Sequence, residues 1–393
     1  MTDIVIVGAG AAGLTAGEAL RRVGHAGRIT IIGEEVHEPY DRPPLSKQIL
    51  SGDWQTDRIQ LRASEHFEAQ SLDFILGDPV TGLDPTARRL SLGTGSTVGY
   101  DKLIIATGVA PRHLPFGRHL AGVHTLKSID DALALRSAMS CSVGKVLVVG
   151  AGFLGTEIAA TARKLGSEVV IVDPLESPLV RGLGPWMGNL VRDVHTEHGV
   201  DIRTGVGLES FEEVDGRLVG AHLSDGSHVA ANLAIIAIGS APCVGWLDGS
   251  GLAIDDGIIT DQFCLATDDI AAAGDVARFH HRGYGRSLRL EHRMNATEQS
   301  QAAAANLLAE PENRVPFEPV PYFWTDQYEY KIQAYGITPP DAKVEVVSGD
   351  VATKSFVATY SVDDQILGVV GWNKPRELRS YRASLATWTQ NVT

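Results

Sequence analysis

Two glycine-rich segments have the residue types and spacing that bind the pyrophosphate of a dinucleotide. In each, four aliphatic residues lead into the pattern Gly-x-Gly-x-x-Gly and then into a helix-like stretch. The glycines allow a tight turn, close approach of the pyrophosphate and packing of a helix on a strand. Two such segments predict two bound dinucleotides and electron transfer between them. The candidate contact residues are Gly8, Gly10, Ala12 and Gly13 in the first segment and Gly150, Gly152, Leu154 and Gly155 in the second.

An acidic residue ends the second strand that follows each glycine segment. These residues are Glu34 and Asp173. A carboxylate at this point hydrogen-bonds ribose hydroxyls, and at Asp173 it would also repel the 2′-phosphate of NADPH. Residues 174–176 supply no cation that would reverse this preference. The second site is therefore predicted to bind NADH, and Arg181, the nearest cation, is available to an adenosine phosphate or ribose.

The elements around these segments predict how the chain is divided. Strand-like runs over 98–108 and 233–239 both end in glycine and bracket the second glycine segment, and the first domain resumes near residue 270. A helix is expected over 295–308, and strands over 343–347, 355–361 and 365–372 follow a proline-rich linker. We expect an α/β fold with two Rossmann-like dinucleotide-binding domains, the second inserted into the first, and a small C-terminal α+β domain. The expected boundaries are 1–113 with 240–317, then 114–239, then 318–393.

Composition excludes several classes of protein. The net charge of −14 argues against binding to nucleic acid or to an anionic membrane surface. No apolar run approaches the roughly 20 residues of a membrane span, and residues 1–10 lead directly into a strand, so no signal peptide is expected. Cys141, Cys243 and Cys264 are scattered, which is typical of buried thiols in a reducing cytoplasm.

Three further segments carry a family resemblance: Pro39–Lys47 (PYDRPPLSK), Gly274–His280 (GDVARFH) and Phe323–Tyr328 (FWTDQY). With them, nearly the whole chain resembles the two-dinucleotide flavoprotein reductases, and within these the NADH-dependent ferredoxin reductases of oxygenase systems. The resemblance implies FAD on the first glycine segment and NADH on the second. It places Lys47 beside the isoalloxazine, Asp275 at the ribityl chain and Trp324 near the exposed flavin edge. It also assigns cofactor contacts to Arg42, Val80, Thr107, Gly108, Lys127, Gly239, Gly274 and Arg293.

Three residues depart from the family pattern. Arginine is common where Lys127 stands, tryptophan or valine is usual at Arg293, and asparagine often stands at Cys243. These departures concern the flavin contacts and not the fold.

Lys47 and Glu157 are the candidate catalytic residues. In the resembling family, the corresponding side chains approach each other at the hydride-transfer site. A lysine there favours negative charge on the reduced ring, and a carboxylate orients the nicotinamide carboxamide. Glu157 is expected in the first turn of its helix, facing the nicotinamide. The alternatives are a solvated loop lysine and an acid favoured by the helix dipole. Asp275 and Trp324 have plainer alternatives too, as a helix cap and as ordinary core.

The loop over residues 36–52 contains no cysteine, so no dithiol can pass electrons on from the flavin. Electrons are expected to leave directly to a diffusing acceptor, for which a [2Fe-2S] ferredoxin is the first choice. Rubredoxin, a small acceptor such as a quinone or oxygen, and a binding role of the apoptosis-inducing-factor type remain alternatives, and the protein is expected to be a monomer or weak dimer. Candidate docking cations are Arg289, Arg293, Arg314 and Lys331.

The histidines do not predict a metal site. His195 with His198, and His280 with His281, lack a third ligand, so we expect solvated or capping side chains.

Overall fold

The computed structural model describes residues 2–141 and 144–391, without the side chains of Cys141 and residues 387–391. The helices are α1 (Ala11–Arg22), α2 (Gln48–Ser51), α3 (Ser64–Ala69), α4 (Ile129–Cys141), α5 (Phe153–Lys164), α6 (Val180–Glu197), α7 (Arg293–Leu308) and α8 (Pro375–Asn391). The strands are β1 (Ile4–Val7), β2 (Ile29–Gly33), β3 (Leu72–Leu76), β4 (Val80–Asp84), β5 (Arg89–Leu92), β6 (Thr97–Gly99), β7 (Lys102–Ile105), β8 (Val109–Pro111), β9 (Val123–His124), β10 (Lys145–Val149), β11 (Glu168–Asp173), β12 (Asp201–Thr204), β13 (Leu208–Val214), β14 (Arg217–Leu223), β15 (His228–Ala230), β16 (Leu233–Ile236), β17 (Ser240–Pro242), β18 (Ile258–Thr260), β19 (Leu265–Thr267), β20 (Ile270–Ala272), β21 (Ala277–His281), β22 (Arg286–Leu288), β23 (Tyr322–Gln327), β24 (Tyr330–Gly336), β25 (Lys343–Asp350), β26 (Ser355–Val362) and β27 (Gln365–Trp372).

The first sheet has six strands in the order β19-β20-β7-β1-β2-β3. Its inner strands are parallel, and β1 and β2 are buried along their whole length. Continuous aliphatic runs such as these are typical of parallel strands that are covered on both faces. Helices α1 and α7 cover one face, where Leu14 and Leu20 share a core with Ala303 and Leu307. The expected strand over 98–108 is divided, because the chain turns between β6 and β7 to bury Tyr100.

The second sheet is entirely parallel, in the order β12-β11-β10-β16-β9. All its strands lie between β7 and β20 along the chain, so the second unit is inserted into the first. The polypeptide enters the inserted unit through β8 and leaves it through β17. These two connecting segments lie side by side, because β8 and β17 pair antiparallel. The two Rossmann-like units predicted from the sequence are therefore confirmed.

The C-terminal domain is an antiparallel sheet in the order β23-β24-β27-β26-β25, followed by α8. β26 and β27 are joined by a tight turn at Asp363 and Asp364, which both have positive φ, 49° and 62°, as a type I′ hairpin requires. The sheet packs on α6, where Met187 and Val191 meet Phe356 and Trp372. This contact joins the C-terminal domain to the second dinucleotide unit, and the fold class predicted from the sequence is confirmed.

None of the described helices has the length and apolar character needed to cross a membrane. The domain boundaries expected at 113/114, 239/240 and 317/318 stay predictions, and the expectation for the Cys141 thiol lies outside the described side chains.

Candidate functional site

A single cavity of about 1130 Å³ extends between the two glycine segments. It exceeds the roughly 300–1,000 Å³ of a typical small-molecule site. Most of the residues predicted to contact a cofactor line it: Gly8, Gly10, Ala12, Glu34, Arg42, Lys47, Val80, Thr107, Gly108, Lys127, Gly150, Gly152, Leu154, Glu157, Asp173, Arg181, Gly239, Asp275, Arg293 and Trp324. The exceptions, Gly13, Gly155 and Gly274, are not among the lining residues.

Some glycines of each segment pack closely against backbone atoms, whereas one glycine of each segment has open space beside it. A Cβ on Gly8 would lie 2.2 Å from the carbonyl oxygen of Ala106, and one on Gly13 would lie 1.8 Å from that of Gly8. Gly10 has no atom within 4 Å of such a Cβ, so its side faces open cavity. The second segment repeats this arrangement, with Gly150 and Gly155 packed and Gly152 open. The site therefore leaves space where a pyrophosphate approaches.

The open glycines are also the N-caps of helices. Gly10 caps α1 and Gly152 caps α5, and neither helix has a side-chain cap or an acidic residue in its first turn. Their first backbone N–H groups are thus available to an anion, as a dinucleotide requires. Glu157 is the fifth residue of α5, so the expectation that it lies in the first turn is wrong. The helix-dipole alternative is weakened for the same reason, because the dipole effect falls off within the first turn.

The acids after the two second strands are placed differently. Glu34 is exposed at the cavity wall. Its neighbour Glu35, which the sequence analysis missed, accepts hydrogen bonds from Arg42 Nη2 at 2.6 Å and from the Tyr40 hydroxyl at 2.6 Å. Arg42 also donates to the carbonyl oxygen of Lys127 at 2.7 Å. Arg42 therefore connects the proline-rich loop to the start of the inserted unit by a hydrogen bond. It also lines the cavity.

Asp173 already binds the glycine turn. Its Oδ2 accepts from the backbone N–H of Ala151 at 2.7 Å, and its Oδ1 accepts from that of Leu175 at 2.8 Å. A carboxylate oxygen can accept more than one hydrogen bond, and Asp173 lines the cavity, so contact with a ribose stays available. Arg181 lines the cavity, is exposed and forms no ion pair with a described side chain.

Lys47 and Glu157 meet in the wall between the two units. The Lys47 Nζ lies 2.7 Å from Oε2 of Glu157, with 13% and 10% of the two side chains exposed. Ser46 donates to the same oxygen at 2.6 Å. The backbone here is fixed because Thr161 of α5 donates to the carbonyl oxygen of Ser46 at 2.7 Å. Lys47 is therefore not a solvated loop lysine, and that alternative is wrong.

Asp275 also lines the cavity, just after β20. Burial, together with the nearby charge of Glu291, raises the pKa of its carboxyl to about 6. Its backbone is held in a short 3-10 turn whose Gly274 N–H donates to Oε1 of Gln299 at 2.9 Å. Arg293, at the start of α7, forms an ion pair with Asp41 of the proline-rich loop. This pair places a polar group on the cavity wall at the position where the resemblance implies tryptophan or valine.

The other two departures from the family pattern touch each other. The Lys127 Nζ lies 4.0 Å from Sγ of Cys243, and both residues line the cavity. Burial raises the pKa of the Cys243 thiol. Thr107 donates to the carbonyl oxygen of Cys243 at 3.0 Å. This hydrogen bond links the two segments that connect the units.

Trp324 belongs to an aromatic group on the edge strand β23. It stacks on Tyr322 with ring centroids 5.9 Å apart, and Tyr322 packs on Tyr335 at 4.8 Å. Its neighbour Phe323 instead contacts Phe153 of α5 at 5.2 Å. Trp324 therefore combines packing with a position on the cavity wall.

The four candidate docking cations do not form a free cationic patch. Arg289 pairs with Glu291, Arg293 with Asp41, Arg314 with Asp268 and Lys331 with Asp326. Each of these charges has a carboxylate partner nearby, and their role in docking stays a prediction.

Two of the histidines were also assigned wrongly. His195 and His281 are fully buried rather than solvated or capping, whereas His198 is the C-cap of α6. The sequence held a signal for His195, since it continues a stripe at every fourth residue of α6 with Leu183, Met187 and Val191. Outside the cavity, ligand atoms of the exposed residues Glu212, His222 and His228 lie within 4.8 Å of one another.

Two models of known protein families match this chain. Residues 2–304 match the pyridine nucleotide-disulphide oxidoreductase model, and residues 322–391 match the model described as reductase C-terminal. The chain belongs to the pyridine nucleotide-disulphide oxidoreductase family. Proteins of this family are oxidoreductases that use FAD and NAD(H).

Known relatives match over nearly the full length. Rhodocoxin reductase of Rhodococcus erythropolis is 38% identical over 388 residues, which cover 98% of this chain and 90% of the relative. Putidaredoxin reductase CamA of Pseudomonas putida is 34% identical over 383 residues, covering 95% and 89%. The resemblance to ferredoxin reductases of oxygenase systems is therefore confirmed.

Solved structures agree with this placement. The ferredoxin reductase for the CYP199A2 system of Rhodopseudomonas palustris has a TM-score of 0.92 at 33% identity, covering 97% of this chain and 94% of that one. A chain of the covalent putidaredoxin reductase–putidaredoxin complex also has a TM-score of 0.92, at 32% identity, covering 98% and 93%.

Proposed function

We propose that this protein is an FAD-dependent NADH:ferredoxin reductase that supplies single electrons to a [2Fe-2S] ferredoxin of a monooxygenase or Rieske dioxygenase system. The observation that carries this proposal is the position of the Lys47–Glu157 pair, in the wall of one cavity that both glycine segments line. When bound, FAD accepts a hydride from NADH and can release electrons singly.

The surrounding residues bind and orient the two dinucleotides. The free N–H groups at the starts of α1 and α5 hold the two pyrophosphates. Asp173 takes a ribose hydroxyl and favours NADH. Lys47 stabilises negative charge on the reduced ring, while Glu157 fixes the lysine and orients the carboxamide of the nicotinamide.

Electrons leave the site without a thiol intermediate. The proline-rich loop has no cysteine, and Cys243 and Cys264 are free. Cys264 is buried, and burial raises the pKa of its thiol, so a thiolate does not form there at neutral pH. A protein acceptor must therefore approach the flavin edge. These free thiols also support the proposal of a cytoplasmic location.

The docking region we propose is the aromatic group of Trp324, Tyr322 and Tyr335 with the adjoining helix α8. Arg379 of α8 is exposed, and its charge acts on Tyr335. It forms no ion pair with a side chain that the structure describes. A local cation of this kind can attract an acidic ferredoxin although the chain as a whole is acidic.

The test is ferredoxin-dependent reduction of cytochrome c by NADH. We expect little reduction without ferredoxin, and a rate that falls as salt rises because the screening length shrinks from about 10 Å at 0.1 M to about 3 Å at 1 M. Arg379→Glu should raise the KM for ferredoxin, whereas Arg22→Glu, the same charge change at the exposed end of α1, should not. Equal cytochrome c reduction with and without ferredoxin would reject the proposed partner in favour of a small acceptor.

A further inference from the structure

A buried chain of polar side chains leads from Glu157 to His195. Thr325 Oγ1 lies 2.8 Å from Glu157 Oε1, and Gln327 Nε2 lies 3.2 Å from Thr325 Oγ1. His195 Nε2 lies 2.8 Å from Gln327 Oε1, and the Tyr328 hydroxyl lies 3.0 Å from His195 Nδ1. Thr325 and His195 are fully buried, and Gln327 is 4% exposed.

The direction of these hydrogen bonds follows from Thr156. Its hydroxyl donates to the carbonyl oxygen of Gly152, one turn back in α5, at 3.0 Å. It must therefore accept from Gln327 at 2.9 Å, which places the amide nitrogen of Gln327 on the side of Thr156 and Thr325. The amide oxygen then faces His195 and accepts its Nε2–H. The remaining ring nitrogen, Nδ1, accepts from Tyr328.

Each side chain in this hydrogen-bonded series consequently donates to the next one in the direction of Glu157. Because Gln327 donates to the oxygen of Thr325, the single hydroxyl proton of Thr325 is directed to Oε1 of Glu157. Lys47 and Ser46 donate to the other oxygen. An ionised carboxylate only accepts hydrogen bonds, so this arrangement stabilises the anion and fixes its plane.

The hydrogen-bonded series of side chains also connects three elements of the fold. His195 lies on α6, whose first turn carries Arg181 at the cavity, while Thr325 and Gln327 lie on β23 of the C-terminal domain. Glu157 lies on α5, at the second glycine segment. The docking of the C-terminal sheet on α6 therefore determines the hydrogen bonds that reach the carboxylate.

We propose that His195 and Gln327 are positioning residues for hydride transfer, which act through Thr325 to hold the Glu157 carboxylate in its orientation beside Lys47. This inference rests on the proposed function, in which hydride passes at the Lys47–Glu157 pair. It gives the C-terminal domain a part in the reaction of NADH in addition to any contact with a protein acceptor.

The first test is stopped-flow reduction of the flavin by NADH in matched variants. His195→Leu and Gln327→Leu should slow the limiting rate about 3- to 10-fold, as expected for loss of one neutral hydrogen bond. His195→Gln should stay within about 2-fold of the unchanged protein, because its amide nitrogen can donate where Nε2 does. Asp193→Asn, at an exposed position of the same helix that takes no part in these hydrogen bonds, is the control and should also be unchanged.

The second test does not depend on activity. Long-range proton–nitrogen NMR spectra of protein with ¹⁵N-labelled histidine should show His195 as a neutral ring with the proton on Nε2 at neutral pH. The proton on Nδ1, or a doubly protonated ring, would overturn the proposed direction of the chain.

The outcomes separate this inference from the proposed function. If NADH does not reduce the flavin of the unchanged protein, the proposed function fails. If the unchanged protein is reduced rapidly and Lys47→Ala is slow, but both leucine variants react normally, the inference alone is overturned. It is also overturned if His195→Gln is as slow as His195→Leu, since His195 would then act only through packing.

Discussion

The ammonium group of Lys47 lies 2.7 Å from the carboxylate of Glu157, although 110 residues separate them in the sequence. The contact joins the proline-rich loop of one dinucleotide unit to helix α5 of the other. Since both side chains are mostly buried, the pair is screened from solvent far less than a surface ion pair. It thus forms a fixed polar pair in the cavity wall, at the place where we propose that the two cofactors meet.

The Lys47–Glu157 pair should act as a unit in flavin reduction. Lys47→Ala and Glu157→Gln should each slow the reduction of the flavin by NADH, and the double variant should lose much less than the product of the two effects. Stopped-flow absorbance measures the rates. The control is Lys164→Ala, which removes an exposed 2.7 Å pair with Asp53 between the same two segments and should change little. Normal reduction in both single variants would contradict the proposed roles.

Gly10→Val should remove bound flavin without unfolding the protein. The added side chain enters open cavity rather than protein atoms, at the point where the pyrophosphate approaches. The purified variant should lack the yellow flavin absorbance while its circular dichroism stays unchanged. Gly245→Val, another open glycine that does not line the cavity, should keep its flavin. A fully flavinated Gly10→Val protein would show that FAD lies elsewhere.

Asp173→Ala should lower kcat/KM for NADH by at least about 10-fold, the lower bound for loss of a charge-assisted hydrogen bond of about 1.5 kcal/mol. The structure adds to the loss, since the same carboxylate also holds the N–H groups of Ala151 and Leu175. Steady-state kinetics with NADH and NADPH measure the effect. Glu176→Ala, at an exposed acid that does not line the cavity, is the control. A native preference for NADPH would contradict the role of Asp173.

The burial of His195 should make the protein less stable in acid. Burial lowers the pKa of His195 to about 4, whereas an unfolded histidine has a pKa near 6.5. Between these values the unfolded state binds the proton, so stability falls as the pH decreases, by about 2 kcal/mol from pH 7 to pH 5. In urea unfolding, His195→Gln should lose less stability than the unchanged protein over this range, and His113→Gln, at an exposed histidine, should not differ from the unchanged protein. The same slope in all three proteins would contradict this account.

The parts of the site that could be predicted are local in sequence. Gly8 and Gly13 contact each other within one strand–helix turn. The spacing of the glycines in the sequence is therefore enough to predict the shape of this turn. The second strand of each unit pairs in register beside the first, which brings Glu34 and Asp173 to the same edge as the glycines. The cysteine-free loop could likewise be read directly from the sequence.

The parts that could not be predicted depend on contacts between distant segments. Gln327 and His195 are 132 residues apart and meet only because the C-terminal sheet packs on α6. The pairing of Arg289, Arg293, Arg314 and Lys331 with carboxylates is also tertiary, so counting cations in the sequence overstated the free positive charge. Glu35 was missed because nothing in the sequence distinguishes it from Glu34, its neighbour at the strand end.

The most direct test of the central claim is a single-turnover experiment. The flavoprotein is reduced with one equivalent of NADH under anaerobic conditions and mixed in a stopped-flow instrument with excess oxidised [2Fe-2S] ferredoxin. We predict rapid return of the flavin absorbance, with two ferredoxins reduced for each NADH and no thiol consumed. A flavin that stays reduced in the presence of every [2Fe-2S] ferredoxin from the source organism, but is reoxidised rapidly by oxygen or a quinone, would contradict this prediction.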